Sequence, residues 1–426
     1  MFSSQNLSSR LTKYLQHTVF KNFSYLLINH ILSQFLMFSA YSILARRISV
    51  EAVGVFGYAQ VYYNYFLIML NLGLPLYAIK KYPILTTESS KNELINLFIT
   101  IRLFLFLLLI TPYWVVAHFV AKNDITLKII LLLSFGLFVM VFNLEWYFRA
   151  IQKMYFIAIG NVSKSLFFLV GVIFLVKRDE SLPLLAYIFV TAFLCMVIIY
   201  LFFSKVFRKI KFIFKIGEML PVIKESVILG VSIILIQVYY SFGTFSIGFF
   251  RNTIEVGYYT NVYKLLMFFL AIVSLYLKAV FPHMASISTD TEKLKKFIVT
   301  LTRFAFLTSF VVTILIFFVA EKIVVLAFSQ KYLPAVGPFR ILILIFWIIA
   351  SRTLIENSLI INNQSSKYLI TVLIGASTNI VLNLLLVPLY GVYGAAVATL
   401  VSEIVFTLTA IYFSKISFAS LIGYTK

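Results

Sequence analysis

Residues 94–121 read LINLFITIRLFLFLLLITPYWVVAHFVA, 28 positions with a single Lys or Arg, Arg102, and no carboxylate. At about 1.5 Å of rise per residue, a helix of that length crosses the roughly 30 Å hydrocarbon core of a bilayer. Windows of the same kind recur on both sides of it. They fall near 23–45, 53–78, 127–148, 154–176 and 183–203, then near 226–250, 256–282, 297–320, 336–361, 368–387 and 392–414. The chain is 62% hydrophobic and only 12% charged, far from the roughly one-quarter charged usage of soluble domains. These windows predict an all-α polytopic membrane protein of about twelve transmembrane helices.

A net charge of +21 ordinarily raises nucleic acid as a partner, but the bases here sort by side of the membrane. With the N-terminus inside, 20 of the 36 Lys and Arg lie on that face, 9 on the other and 7 within spans. The positive-inside rule then places both termini in the cytoplasm and leaves no nucleic-acid surface. Cys195 stands alone in an apolar stretch, so no disulfide framework is expected. The first 22 residues carry Leu7, Leu11, Tyr14, Leu15 and Val19 at helical spacing with Arg10 and Lys13 among them, which suits an interfacial helix or a plain tail.

The organisation is symmetric. The segment 204–225 holds six Lys or Arg close to the midpoint and reads as a basic cytoplasmic linker. It separates a six-span half at 23–203 from a second at 226–414, with a cytoplasmic tail at 415–426. RRISVEAVGVFGYAQVY from Arg46 is answered by FRNTIEVGYYTNVYKL from Phe250, each with Arg, Glu, Gly and a Tyr-containing helix start. An offset near 200 residues spans six helices and keeps both halves in one orientation, as in a parallel repeat about the membrane normal.

LARRISVEAVGVFGYAQ from Leu44, EWYFRAIQKM from Glu145, EVGYYTNVYKLL from Glu255 with Pro282, and NIVLNLLLVPLYGVYGAAVATLVSE from Asn379 to Glu403 resemble the polysaccharide flippase branch of the multidrug, oligosaccharidyl-lipid and polysaccharide exporter superfamily. The resemblance covers essentially the whole chain; Ile48 and Ser49 stand where the family often has Leu-Gly. It implies two six-helix bundles forming a V around a central cavity. It also implies that the cargo is a polyprenyl-diphosphate-linked oligosaccharide, moved across the bacterial inner membrane for O-antigen, capsule or similar polysaccharide, and it brings a polysaccharide polymerase and chain-length proteins in as candidate partners beside membrane lipids. By the resemblance, spans one, two, seven and eight line the cavity.

Charges inside spans are costly and mark function or pairing. Lys278, Arg303 and Arg340 lie near span ends, where long side chains snorkel. Arg102, Lys164, Lys264 and Arg352 lie deeper and are the candidate cargo-binding cations. Glu145 with Arg149, and Arg352 with Glu356, stand four residues apart on one helix face and are alternatively read as ion pairs. Lys164 and Lys264 have only polar neighbours at that spacing, among them Asn161 and Asn261, with pairing to a distant acid such as Glu403 the competing reading. Asn29, Gln237 and Ser241 add polar stripes that suit a cavity or interhelical hydrogen bonds. Glu145, Glu356 and Glu403 are candidates for ion coupling, with H⁺ or Na⁺ as the ion. Pro75 after Gly73, and Pro112, are candidate kinks. Pro388 and Gly391 predict a tight bend before a small-residue helix face.

His17, His30, His118 and His283 lack metal-ligand spacing, and no nucleotide-binding loop or nucleophile motif occurs, so neither a metal site, a catalytic site nor a cofactor is expected. Three functions remain in play: the flippase, a cation-coupled multidrug exporter of the same superfamily, and a membrane-embedded glycan polymerase or acyltransferase. Seven bases against three acids within the spans disfavour cationic drugs, and no large outer loop or acid–His cluster supports the enzyme.

Overall fold

The computed structural model describes residues 4–206, 210–212, 214–287, 290–362 and 364–414. Its helices are α1 (Ser4–Arg47), α2 (Val50–Asn71), α3 (Leu74–Lys81), α4 (Glu88–Val120), α5 (Asp124–Val141), α6 (Glu145–Ala150), α7 (Met154–Leu175), α8 (Leu182–Ser204), α9 (Ile216–Phe250), α10 (Thr253–Ser286), α11 (Thr291–Phe328), α12 (Val336–Ile361) and α13 (Ser365–Ser414). Among the described residues, ten helices are long and apolar enough to cross a membrane. The bend inside α13 makes two crossings of one helix, and α2 adds another, for twelve. The end at which α1 begins and α13 finishes is called proximal below, and the opposite end distal.

Side-chain chemistry sets the ends of these helices. Ser49, Thr87, Asn123 and Asp290 each accept a backbone N–H of the first turn of α2, α4, α5 and α11, satisfying donors a helix start leaves open. Ser49, the departure from the family pattern, is thus an N-cap. Pro388 and Gly391 do interrupt α13: Gly391 takes φ 54°, ψ −127°, and a Cβ there would lie 1.9 Å from Glu255 Oε2. That carboxylate accepts the N–H of Val392 at 3.0 Å and an Arg251 bond at 3.0 Å, so it sits at the positive start of the second limb. Leu72 and Gly73, both with positive φ, break α2 from α3 just before Pro75. At Pro112, by contrast, α4 continues unbroken. Helix α1 starts at Ser4 and is continuous with the first span, and α9 starts at Ile216, within the segment read as a linker; the tail 415–426 lies outside the described residues.

Packing repeats with the sequence. In the first half α1 packs on α7, α2 on α5 and α5 on α8; in the second, α9 packs on α13, α10 on α12 and α12 on α13. Each half therefore forms its own six-helix bundle. The bundles meet chiefly where α2 crosses α10, and the crossing is two-fold in character. A Cβ on Gly54 would lie 1.7 Å from the Thr253 carbonyl oxygen, and one on Gly257 would lie 2.1 Å from that of Val50. Gly257 and Thr253 stand 203 positions after Gly54 and Val50, so the contact is isologous between repeats. Gly57 faces Thr260, its own equivalent at the same offset. These bare backbones let the helices touch. Helix α2 carries Gln60 buried against protein and Asn64 and Asn71 on a cavity wall, polarity that a lipid-facing span would not carry.

Candidate functional site

Proximal to that crossing, α3 returns to α9 at Gly73 and Gly230, where a Cβ on either glycine would come within 2.7 Å of the other's Cα. Next to this contact lies a cavity of about 450 Å³ lined by both bundles, with Asn64, Asn71, Arg102, Asn143, Glu145 and Arg149 from the first and Gln237 from the second. The helix break at Leu72–Gly73 and the turn after α5 shape its walls, since both bring polar groups to the seam at membrane depth.

Arg102 is its innermost charge, 2% exposed. Its guanidinium donates to the carbonyls of Met140 and Asn143, each at 3.0 Å, and to Asn71 Oδ1, and it stacks on Phe98 at 4.4 Å. Nε is left without a hydrogen-bond partner. No carboxylate among the described residues comes within ion-pair distance of it. Neutral oxygens therefore hold the cation in place without cancelling its charge, whereas an acid partner would neutralise it. At the rim Glu145 is bound by Arg149 at 2.5 Å, as the four-residue spacing predicts, and the lining keeps one surplus positive charge.

The other candidates are distributed elsewhere. Lys264 lies at the seam, distal to this lining: its ammonium sits 3.2 Å over the Tyr41 ring and 3.4 Å from Gln60 Oε1, both of the opposite bundle, with no carboxylate within ion-pair range among the described residues. Gln60 is itself bound by Tyr41. Lys164 stays within the first bundle, 4.9 Å over Phe193, and Asn161, half-buried, offers its carbonyl to Ser165. Asn29 accepts from Ser33 at 3.1 Å. Gln237 lines the cavity, Ser241 is half-buried one turn farther along α9, and Asn261 is wholly buried beside the Tyr332 hydroxyl.

Arg352 is placed differently from a cargo-facing cation. Its Nη2 lies 2.7 Å from Glu403 Oε2 and its Nε 3.5 Å from Glu356 Oε2, over the Phe406 ring at 3.8 Å. Tyr239 donates to the other Glu403 oxygen at 2.6 Å. Two carboxylates and one guanidinium thus form a closed network inside the second bundle. The reason is desolvation: none of the three charges could be buried there alone. Sequence spacing pointed to Glu356 but not to Glu403, which lies on a helix 51 positions away, nor to the backbone carbonyls that hold Arg102, which carry no side-chain signature.

Residues 19–288 match the family model described as polysaccharide biosynthesis protein. No curated protein matches the chain by sequence. Among solved structures, the chain is similar to the lipid II flippase MurJ in an inward closed conformation, with TM-score 0.76 at 15% identity over 95% of this chain and 93% of that one. It is also similar to a multidrug resistance MATE family transporter of the MOP superfamily in an inward-facing conformation, with TM-score 0.67 at 14% identity over 95% and 96%. A MOP superfamily transporter from Pyrococcus furiosus gives TM-score 0.62 at 14% identity over 95% and 97%.

Proposed function

The chain belongs to the polysaccharide biosynthesis protein family, and on that premise we propose that it is a flippase carrying a polyprenyl-diphosphate-linked oligosaccharide repeat unit across the bacterial cytoplasmic membrane. The observation that carries this reading is Arg102, a guanidinium at the bundle seam held by neutral oxygens, with no carboxylate within ion-pair distance among the described residues. A diphosphate entering the cavity would meet Arg102 and Arg149 with Asn64, Asn71 and Gln237 as hydrogen-bond partners. Charge-assisted bonds to phosphate offset its loss of water, while the lipid tail stays in the bilayer. Lys264, bridging the bundles through neutral groups alone, is the next cation on the path, and Lys164 lies farther into the first bundle.

Both termini are cytoplasmic in this scheme, as the sorting of basic residues supports, so the distal end faces outward. With α2 and α10 in contact there, transport proceeds by alternating access: the bundles part distally and rock about the α3–α9 contact at Gly73 and Gly230, with the Leu72–Gly73 break as hinge. Glu356 and Glu403, only half offset by Arg352, are proposed to take up a coupling H⁺ or Na⁺, since two acids and one base leave one negative charge to compensate; Glu145 is a further candidate. Two cations against one carboxylate in the cavity argue against cationic drugs as cargo, and favour a role in O-antigen, capsule or similar polysaccharide export beside a polymerase and chain-length proteins.

Deletion of the protein tests the proposal. Lipid-linked repeat units should accumulate on the inner leaflet, protected from an externally added glycosidase in spheroplasts, whereas loss of a polymerase leaves the same units exposed outside. Units found outside in the deletion strain would refute it.

A further inference from the structure

The distal mouth is closed by more than the glycine crossing. Lys122, just past the end of α4, donates to the carbonyls of Phe249 at 2.9 Å and Arg251 at 3.2 Å, at the end of α9. Lys331, just past the end of α11, donates to the carbonyls of Arg46, at 3.4 Å, and Ile48, at the end of α1. Each lysine belongs to one bundle and its acceptors to the other. The acceptors are related as Gly54 is to Gly257: Phe249 and Arg251 stand 203 positions after Arg46 and Ile48.

We propose that Lys122 and Lys331 are the two equivalent halves of a latch that holds the distal mouth shut, each clasping the free carbonyl end of the first helix of the opposite bundle. The chemistry suits a reversible closure. The last carbonyls of a helix have no partner within it, and a cation is favoured at that negative end. Such a cap is held by charge and dipole rather than by an ion pair, so neither side leaves a buried carboxylate behind when the bundles part. Both ammonium groups then face water at the open mouth. Arg46, which donates to the carbonyl of Leu326, and Ser42, which donates to that of Ala327 at 2.5 Å, reinforce the Lys331 side. Their positions 203 later are Phe249 and Phe245, so only the lysine caps are shared by both repeats. The latch is independent of what the protein carries.

Solvent access to the seam tests it without any cargo. The chain with Cys195→Ser and Ala45→Cys places one thiol at a wholly buried position packed against the second bundle. In lipid nanodiscs a membrane-impermeant maleimide should label it slowly. Lys122→Ala with Lys331→Ala should raise the labelling rate about tenfold, equivalent to about 1.4 kcal/mol; each single substitution should raise it less, and Lys→Arg at both should leave it slow. A parent-like rate in the double variant would overturn the latch, as would the full effect arising from one lysine alone. Ala186→Cys, wholly buried inside the first bundle, is the companion position. Its labelling should stay at the parent rate in every variant; a parallel rise there would show that the lysines hold the bundle together and would equally refute the proposal.

Discussion

Substituting Arg352 by Met should cost more stability than any other single change in the second bundle. Arg352 and Glu403 are 5% and 1% exposed at their side chains and 2.7 Å apart, and Glu356 stands on the other side of the guanidinium at 3.5 Å. Removing the cation leaves Glu403 with only the Tyr239 hydroxyl and a second carboxylate nearby. Breaking a buried pair from one side costs about 3–5 kcal/mol, because the remaining charge is left uncompensated. Glu403→Gln keeps the Tyr239 hydrogen bond and leaves Arg352 paired with Glu356, so its cost should be smaller, about 1–2 kcal/mol. In Arg352→Met with Glu403→Gln the more deeply buried of the two carboxylates is gone, and Glu356, at 19% side-chain exposure, is the one charge left without its partner. The double variant should therefore be more stable than the sum of its parts by about 1–3 kcal/mol, the range of coupling found for residues in contact. Unfolding by sodium dodecyl sulfate in mixed micelles, followed by circular dichroism, reads all four proteins. Additive losses, or an Arg352→Met protein within about 0.5 kcal/mol of the parent, would refute the network.

Two further outcomes follow from the seam. Lys264→Ala should impair glycan export in cells while the protein reaches the membrane at normal levels, because it removes the cation bridging the bundles through Tyr41 and Gln60; full complementation of a flippase-null strain would remove Lys264 from the mechanism. Gly54→Ala puts a methyl 1.7 Å from the Thr253 oxygen, so α2 and α10 must separate, at about 1–3 kcal/mol for overpacking. The same unfolding assay should show that loss, and a parent-like curve would contradict the contact.

Much of the fold was legible from one-dimensional chemistry. Hydropathy located each crossing, since lipid imposes length and polarity on each one separately, but the windows 53–78 and 127–148 run past the helix ends at Asn71 and Val141. The echo between Arg46 and Phe250 foretold the packing repeat, and Pro388 with Gly391 foretold the bend. Helix α2 is the instructive exception: it is a crossing covered by protein, and its tyrosines and amides make it the least membrane-like of the twelve. The site was legible only in part. Arg102 and the Glu145–Arg149 pair could be picked out by depth and spacing, but what holds Arg102 is carbonyl oxygen exposed at the turn after α5, which any residue supplies. Arg352 was a cavity candidate for its depth, with an ion pair to Glu356 as the alternative; Glu403, the second acid of the network, was not legible, because pairing between distant helices leaves no periodic trace. Lys122 and Lys331 entered the sequence reading only as two of the nine bases on the face opposite the N-terminus, for the same reason.

The most direct test is the rate at which the purified protein in proteoliposomes moves a fluorescent polyprenyl-diphosphate disaccharide, compared with an uncharged polyprenyl disaccharide of the same length. If the cationic seam carries the cargo, the diphosphate lipid crosses much faster than the neutral one. Arg102→Gln should then cut that rate about tenfold or more, as the loss of charge-assisted bonds of about 1.5–3 kcal/mol requires, and leave the neutral rate unchanged. Equal rates for the two lipids, or a diphosphate rate untouched by Arg102→Gln, would contradict the account.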